Sequence, residues 1–230
     1  MISMNFSFSP EYASFIVFFG CIWLVIFVLR KELRREMLIM SLLCVPLGPL
    51  ADFFYMHDYY QLPVLNGSLW FGFSAILGAL HGGVTAVLYE ACYKVYFERK
   101  ARRQFIHPWW FWSVLSFGIF VLIVGTFIYD INSIFLSMLV MIVGGASILC
   151  FRQDLLRDAV GSGLILMLVT GVFFVVFHHI FPGVFALHWH NENLSGILIN
   201  GAPLEEYLWA FAWGFVAGPA YEYVRGLKIG

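Results

Sequence analysis

Ser133 to His179 reads SIFLSMLVMIVGGASILCFRQDLLRDAVGSGLILMLVTGVFFVVFHH. Two apolar runs, 133–151 and 159–179, flank a short charged segment. About 20 apolar residues let a helix cross a bilayer, and both runs are of that order. Working outward, further candidate spans lie at 12–29, 37–55, 69–93, 109–128 and 205–224. The composition agrees. Of the 230 residues, 61% are hydrophobic and 12% charged, against about 45–50% and about 25% in soluble domains. One soluble core of this size cannot hide that excess, whereas lipid can. The net charge of -1 offers no basic surface for nucleic acid.

Charge then sets the orientation. Lys and Arg concentrate on the cytoplasmic side of membrane proteins. Arg30, Lys31, Arg34 and Arg35 fall between the first two spans, and Lys94, Arg99, Lys100, Arg102 and Arg103 between the third and fourth. Arg152 and Arg157 fall between the fifth and sixth, and Arg225 and Lys228 follow the seventh. All 13 basic residues thus share one side, and a different helix count would scatter them. The sequence predicts an all-α, multi-pass cell-membrane protein of seven transmembrane helices, with the N-terminus outside and the C-terminus cytoplasmic. Pro46 and Pro49 should kink the second span and Pro219 the seventh. The N-terminus MISMNFSFSPEYAS lacks the basic start of a secretory signal. Cys21, Cys44, Cys92 and Cys150 are scattered through apolar runs and read as buried structural thiols.

Two stretches of the chain resemble each other. RKELRREM at Arg30–Met37 is matched 122 positions later by RQDLLRDA at Arg152–Ala159. Tyr89-Glu90 is matched 132 positions later by Tyr221-Glu222. At that offset Gly78, Gly82 and Ala86 fall on Ala210, Gly214 and Gly218, giving two stripes of small residues. Small stripes let helix backbones approach closely in lipid. The chain 1–230 therefore reads as one transmembrane domain. It would hold a three-span unit at 12–96, a linking span at 109–128 and a second three-span unit at 133–226. Both units start outside, so the repeat is parallel. Spans three and seven are expected to pack on each other through their stripes.

Ionisable groups inside a span are costly and point to function. His81 sits mid-way along the third span, about 18 Å from either end at 1.5 Å per residue, and its repeat mate is Trp213. Glu205 and Glu206 open the seventh span in APLEEYLW, Asp52 lies near the outer end of the second, and His178 and His179 near that of the sixth. Two adjacent carboxyls at the rim of an apolar bundle are candidate proton donors to a substrate arriving from lipid; they also suit a plain helix N-terminus. Glu90 and Glu222 read as interfacial partners of Lys94 and Arg225. His188, His190 and Glu192 lie in the last outer loop without standard zinc spacing, so no metal is expected. Asn66-Gly67-Ser68 and Asn193-Leu194-Ser195 fit the glycosylation pattern, which has meaning only on a eukaryotic secretory route.

No nucleotide-binding glycine motif is present, so no flavin, nicotinamide or ATP cofactor is expected. A seven-helix retinal protein would need a lysine in the last span, and there is none.

Pro203-Leu204-Glu205-Glu206 opening the last span, on a chain of two three-span units, resembles the membrane-embedded, non-flavin lycopene cyclase domain family. The resemblance covers nearly the whole chain in length and span count. It implies a carotenoid enzyme, an isomerase by reaction type, that closes end rings on lycopene without net redox change. An acid protonates a terminal double bond, a neighbouring double bond attacks the cation, and a base removes a proton. The motif carries over to Glu205 and Glu206. His81 and Asp52 complete the candidate catalytic set, and Trp209, Trp213 and His178 form the candidate substrate-binding set. The partners implied are an apolar polyene or lipid ligand, membrane lipids and a homo- or hetero-oligomeric mate. The chain departs from the family where the first unit would carry its own carboxyl pair. Phe73 and Ser74 stand there.

A non-catalytic protein of the same fold, binding a carotenoid, retinoid or lipid, is the competing reading. An intramembrane protease fits poorly: Ala210 and Phe211 occupy the region where the arginine of an EExxxR pattern would fall. A transporter has only the topology in its favour.

Overall fold

The computed structural model describes residues 10–61, 67–93, 97–98 and 108–229. Within them the chain is almost entirely helical. Helices α1 (Pro10–Leu29), α2 (Arg34–Cys44), α3 (Leu47–Asp58), α4 (Gly67–Thr85) and α5 (Leu88–Tyr93) form the first part. Then come α6 (Pro108–Phe127), α7 (Ser133–Phe151), α8 (Leu156–Ile180), the short α9 (Val184–His188), α10 (Leu204–Ala217) and α11 (Ala220–Arg225). Two small antiparallel strand pairs complete the structure. One joins Phe97–Glu98 to Lys228–Ile229, the other Leu198–Ile199 to Ala202–Pro203.

Two described helices are alone long and apolar enough to cross a bilayer, Ser133–Phe151 and the continuous stretch Gln153–Ile180. A third candidate is the pair Ala13–Leu29 and Lys31–Cys44, bent by 108° at Arg30. Phe71–Thr85 and Trp112–Phe127 are shorter apolar helices. The faces of α8 show how such helices sit. Leu166, Phe173, Phe174 and Phe177 are buried, while Leu164, Leu168, Val172 and Val176 form an exposed apolar stripe at helical spacing. A helix in water would put polar residues on that second face.

The expected proline breaks occur. α2 gives way to α3 around Val45-Pro46, and α10 to α11 around Gly218-Pro219. A third break at Ala86-Val87 separates α4 from α5 without a proline, at the position 132 residues before the Gly218-Pro219 break. There the Val87 N–H turns to the Val84 carbonyl, tightening the chain.

The two charged segments quoted above adopt one shape. Arg30 and Arg152 each end a helix, and each is followed by a 3-10 turn, Lys31–Leu33 and Gln153–Leu155. Arg30 donates through Nε to Glu32, and the guanidinium holds that carboxyl below the ordinary value. Arg152 pairs likewise with Asp154 at 2.8 Å. Arg30 Nη1 donates to the Glu90 and Ala91 carbonyls at 2.9 and 2.8 Å, and Arg152 to those of Glu222 and Leu227.

Three expectations need correction. The small-residue stripes do not meet each other. A Cβ on Gly82 would lie 2.4 Å from Cys44 Cβ, and one on Gly214 2.6 Å from Gly163 Cα. Each stripe thus seats the nearest helix of its own half, α2 against α4 and α8 against α10. The approach of α4 to α10 is made by the rings of His81 and Trp209 instead, 5.9 Å apart. Second, Glu90 and Glu222 are 1% and 0% exposed and do not sit at an interface; Glu222 makes no ion pair with Arg225. Third, only Cys44 among the four cysteines is buried. Helix azimuth, which composition does not encode, decides each case. Lys94, Arg99, Lys100, Arg102, Arg103 and Asn66 lie outside the described residues.

Two packed layers make up the interior. One, around Met37, Met40, Val84, Val87, Leu155 and Leu166, is largely aliphatic. The other, around Phe54, Tyr59, Phe173, Phe174, Phe177 and Trp189, is aromatic.

Candidate functional site

A cavity of about 300 Å³ opens within the aromatic layer, walled by α1, the end of α2, α3, α4, α6, α7, α8 and α10. Its lining is overwhelmingly apolar, and Asp52, His81 and Glu206 are the ionisable groups in its wall besides tyrosines and Cys44. Trp209 and Trp213 line it as well. Five of the seven residues singled out from the sequence therefore come together, from three separate stretches of chain. Glu205 and His178 are not in the wall.

The start of α10 explains how adjacent carboxyls part company. Asn200 and Gly201, with φ of 50° and 82°, form the turn of the strand pair that leads into Pro203. Positive φ at both central residues is the signature of the tight hairpin turn that Asn-Gly favours. A Cβ at Gly201 would fall 2.6 Å from the His178 ring, so the glycine lets the hairpin press on that histidine. Tyr207 Oη donates to the Ile199 carbonyl at 3.0 Å, tying the hairpin to α10. Successive helix residues point about 100° apart. Glu205 turns toward the loop, where Oε1 accepts the Ser195 N–H at 2.7 Å. Glu206 turns into the cavity.

There Glu206 Oε1 accepts two hydrogen bonds, from Tyr59 Oη at 2.6 Å and from Trp189 Nε1 at 2.7 Å. Both donors come from segments that the backbone staples together. Gln61 N–H donates to the His188 carbonyl at 2.7 Å and His190 N–H to the Tyr59 carbonyl at 3.0 Å. Asp58 anchors the same corner by accepting from the Ser133 N–H at 2.7 Å and from its hydroxyl.

Asp52 lies on α3. It accepts from Tyr60 Oη on one oxygen and from Ser74 Oγ on the other. The contact with Ser74 depends on Gly48, one turn before Asp52. A Cβ at Gly48 would sit 1.8 Å from the Ser74 carbonyl oxygen, so only glycine allows α3 this close to α4. His81 is packed on Phe19, ring centroids 4.0 Å apart, and faces Trp209. Trp209 Nε1 donates to Tyr55 Oη at 2.6 Å, and Tyr55 donates to Ser137 Oγ at 3.0 Å.

Sequence reading missed Tyr59, Tyr60, Tyr55, Ser74 and Trp189. The signal for Trp189 was present in His188-Trp189-His190, where the histidines drew attention instead. His188 Nδ1 lies 3.2 Å from the Gln61 carbonyl and His190 Nδ1 3.3 Å from Glu192 Oε1. Among the described residues these histidines form no metal-binding group; the acidic group that does converge is elsewhere.

The fold and cavity thus define a helical, apolar protein with a carboxyl-bearing, apolar-walled pocket. The model of the family described as Lycopene cyclase matches residues 132–224, consistent with membership of the lycopene cyclase domain family that the sequence resembles. The match takes in α7 to α10 and most of α11, with Glu205 and Glu206 inside it. No curated protein and no solved structure matches the chain. The match supports a lycopene cyclase-like function and a place in carotenoid biosynthesis, and with the apolar helices it points to a membrane location.

Proposed function

We propose that the chain spans the membrane seven times and cyclises an end group of an apolar polyene such as lycopene. The N-terminus lies outside, and two parallel three-span units, 12–96 and 133–226, are joined by a span at 109–128. The shared turns at Arg30 and Arg152 support this topology, as do the matching breaks at Ala86-Val87 and Gly218-Pro219. No cofactor enters the reaction, since proton addition and proton loss balance.

The observation that carries the reading is Glu206 reaching into an apolar, aromatic-walled cavity. Both hydrogen bonds it accepts fall on Oε1, which leaves Oε2 to hold and deliver a proton. Protonation of a terminal double bond creates a carbocation. A second double bond of the same polyene attacks it, forming the ring C–C bond. The ring cation then loses a proton to a base, for which Asp52 and His81 are the candidates in the wall. Trp209, Trp213 and Phe19 offer aromatic faces to the passing cation. Glu205 acts indirectly, holding the Ser195 loop over α10, and His178 supports the hairpin. The cavity volume equals roughly ten waters at about 30 Å³ each. It would take one end of a long polyene, with the remainder lying among the helices or in lipid.

The experiment is pigment analysis. The chain is expressed alone in a lycopene-accumulating bacterium, and pigments are separated by chromatography. Cyclised products that vanish with Glu206→Gln are expected. Unchanged lycopene, with the protein present in the membrane, would overturn the reading in favour of a binding protein. Phe73 and Ser74, where a second carboxyl pair would stand, are the feature that favours that alternative.

A further inference from the structure

At the end of the molecule away from the cavity, three carboxyl groups from distant parts of the chain converge, with a fourth nearby. Glu36 opens α2, Glu90 lies in α5, Asp158 opens α8 and Glu222 lies in α11. One carboxylate oxygen each from Glu36, Glu90 and Glu222 lies within 4.8 Å of the other two. All are deeply buried, at 8%, 1% and 0% exposure, and Asp158 is at 0%. Among the described residues no donor reaches either oxygen of Glu90, and the carboxyl of Glu222 meets only that of Glu36. Asp158 is an independent member. Its Oδ1 accepts from Ser162 at 3.0 Å, its Oδ2 is unpartnered, and its charge bears on each of the other three carboxyls.

Two arginines stand close by. Arg30 places Nε on Glu32 and Nη1 on the Glu90 and Ala91 carbonyls, and Arg152 reaches Asp154 and the Glu222 and Leu227 carbonyls. Glu90 and Glu222 are therefore clamped through their backbones while their carboxyls and that of Glu36 face one another. A buried charge left without a partner costs several kcal/mol. We propose that Glu36, Glu90 and Glu222, backed by Asp158, bind one hard divalent cation such as Ca²⁺ or Mg²⁺. Oxygen donors suit these ions. At about 2.3–2.6 Å from each ligand, a Ca²⁺ ion bridges oxygens up to about 5 Å apart. One dication and two protons neutralise four carboxylates. Glu36, the least buried of the four, marks the side from which an ion enters. The ion would join the start of α2 and α5 in the first half to α8 and α11 in the second, independently of chemistry in the cavity.

The test uses the full chain purified in detergent and stripped with chelator. CaCl₂ and, separately, MgCl₂ are titrated by calorimetry, and melting is followed with and without each ion. One ion bound per chain and a raised melting temperature are expected for at least one of the two metals. Glu90→Gln and Glu222→Gln should each weaken binding at least tenfold, and Glu192→Gln in the outer loop should leave it unchanged. No stoichiometric binding by the unaltered protein up to millimolar metal would overturn the proposal and leave protons as the sole counter-charge. So would full-strength binding by both glutamine variants. A variant that fails to fold does not rescue the idea, because the unaltered protein's titration decides it.

Discussion

The two halves of the molecule, 10–93 and 133–225, are alike at one end and different at the other. At the end away from the cavity each half carries an arginine that closes a helix, a 3-10 turn behind it, an acidic partner two residues on, and a clamp onto the carbonyl of a buried glutamate. At the cavity end the second half presents Glu206 to the cavity, whereas the first half has Ser74, 132 residues earlier. Ser74 donates to Asp52 from the neighbouring helix, so the first half still supplies a carboxyl, from α3. The difference teaches that the scaffold is kept by backbone clamps at one end while side chains at the other are free to diverge. The family match covers the half that bears the Glu205-Glu206 pair.

The largest expected effect tests the asymmetry of the cavity end. Glu206→Gln should lower cyclisation by about 10²–10⁴-fold, the usual worth of a positioned proton donor. Asp52→Asn should lower it at least tenfold less, because His81 shares the wall. Equal losses, read as product per unit of membrane protein, would make the two halves equivalent in chemistry. Next is close packing. Gly48→Ala and Gly214→Ala each place a Cβ within 2.6 Å of backbone atoms, and overpacking of this kind costs about 1–3 kcal/mol or more. Thermal melts should show both losses, while Gly72→Ala, with open space around it, should melt as the unaltered protein does.

A smaller effect probes the likeness of the two halves at the end away from the cavity. Arg152→Met should destabilise by about 1.5–3 kcal/mol, the worth of hydrogen bonds to a charged donor. Arg30→Met should cost less, because its side chain is 15% exposed against 4%. The reverse order in denaturation would mean that the two clamps are not counterparts. Smallest is Tyr59→Phe, which removes one of two donors on Glu206 Oε1. About 1 kcal/mol per hydrogen bond corresponds to roughly a fivefold loss of rate, with no change in melting beyond that amount. A rate unchanged by this substitution would show that Trp189 alone positions the carboxyl.

Much of this was legible in the chain itself, for reasons that are local. Apolar runs, breaks at Pro46 and Pro219, the matched segments at Arg30 and Arg152, and the carboxyl pair at Glu205 and Glu206 are all properties of neighbouring residues. Hydrophobicity and helix period act over a few turns, so a sequence displays them directly. Which of two adjacent glutamates faces the cavity was not legible, because it depends on the azimuth of α10, set by the Asn200-Gly201 hairpin and by packing on α8. Nor was the convergence of Glu36, Glu90, Asp158 and Glu222, or the reach of Tyr59 and Trp189 to one oxygen. Those contacts join positions tens to nearly two hundred residues apart. Helix periodicity says what each helix can bury; only the packed structure, through close approaches such as Gly48 on Ser74, decides against what.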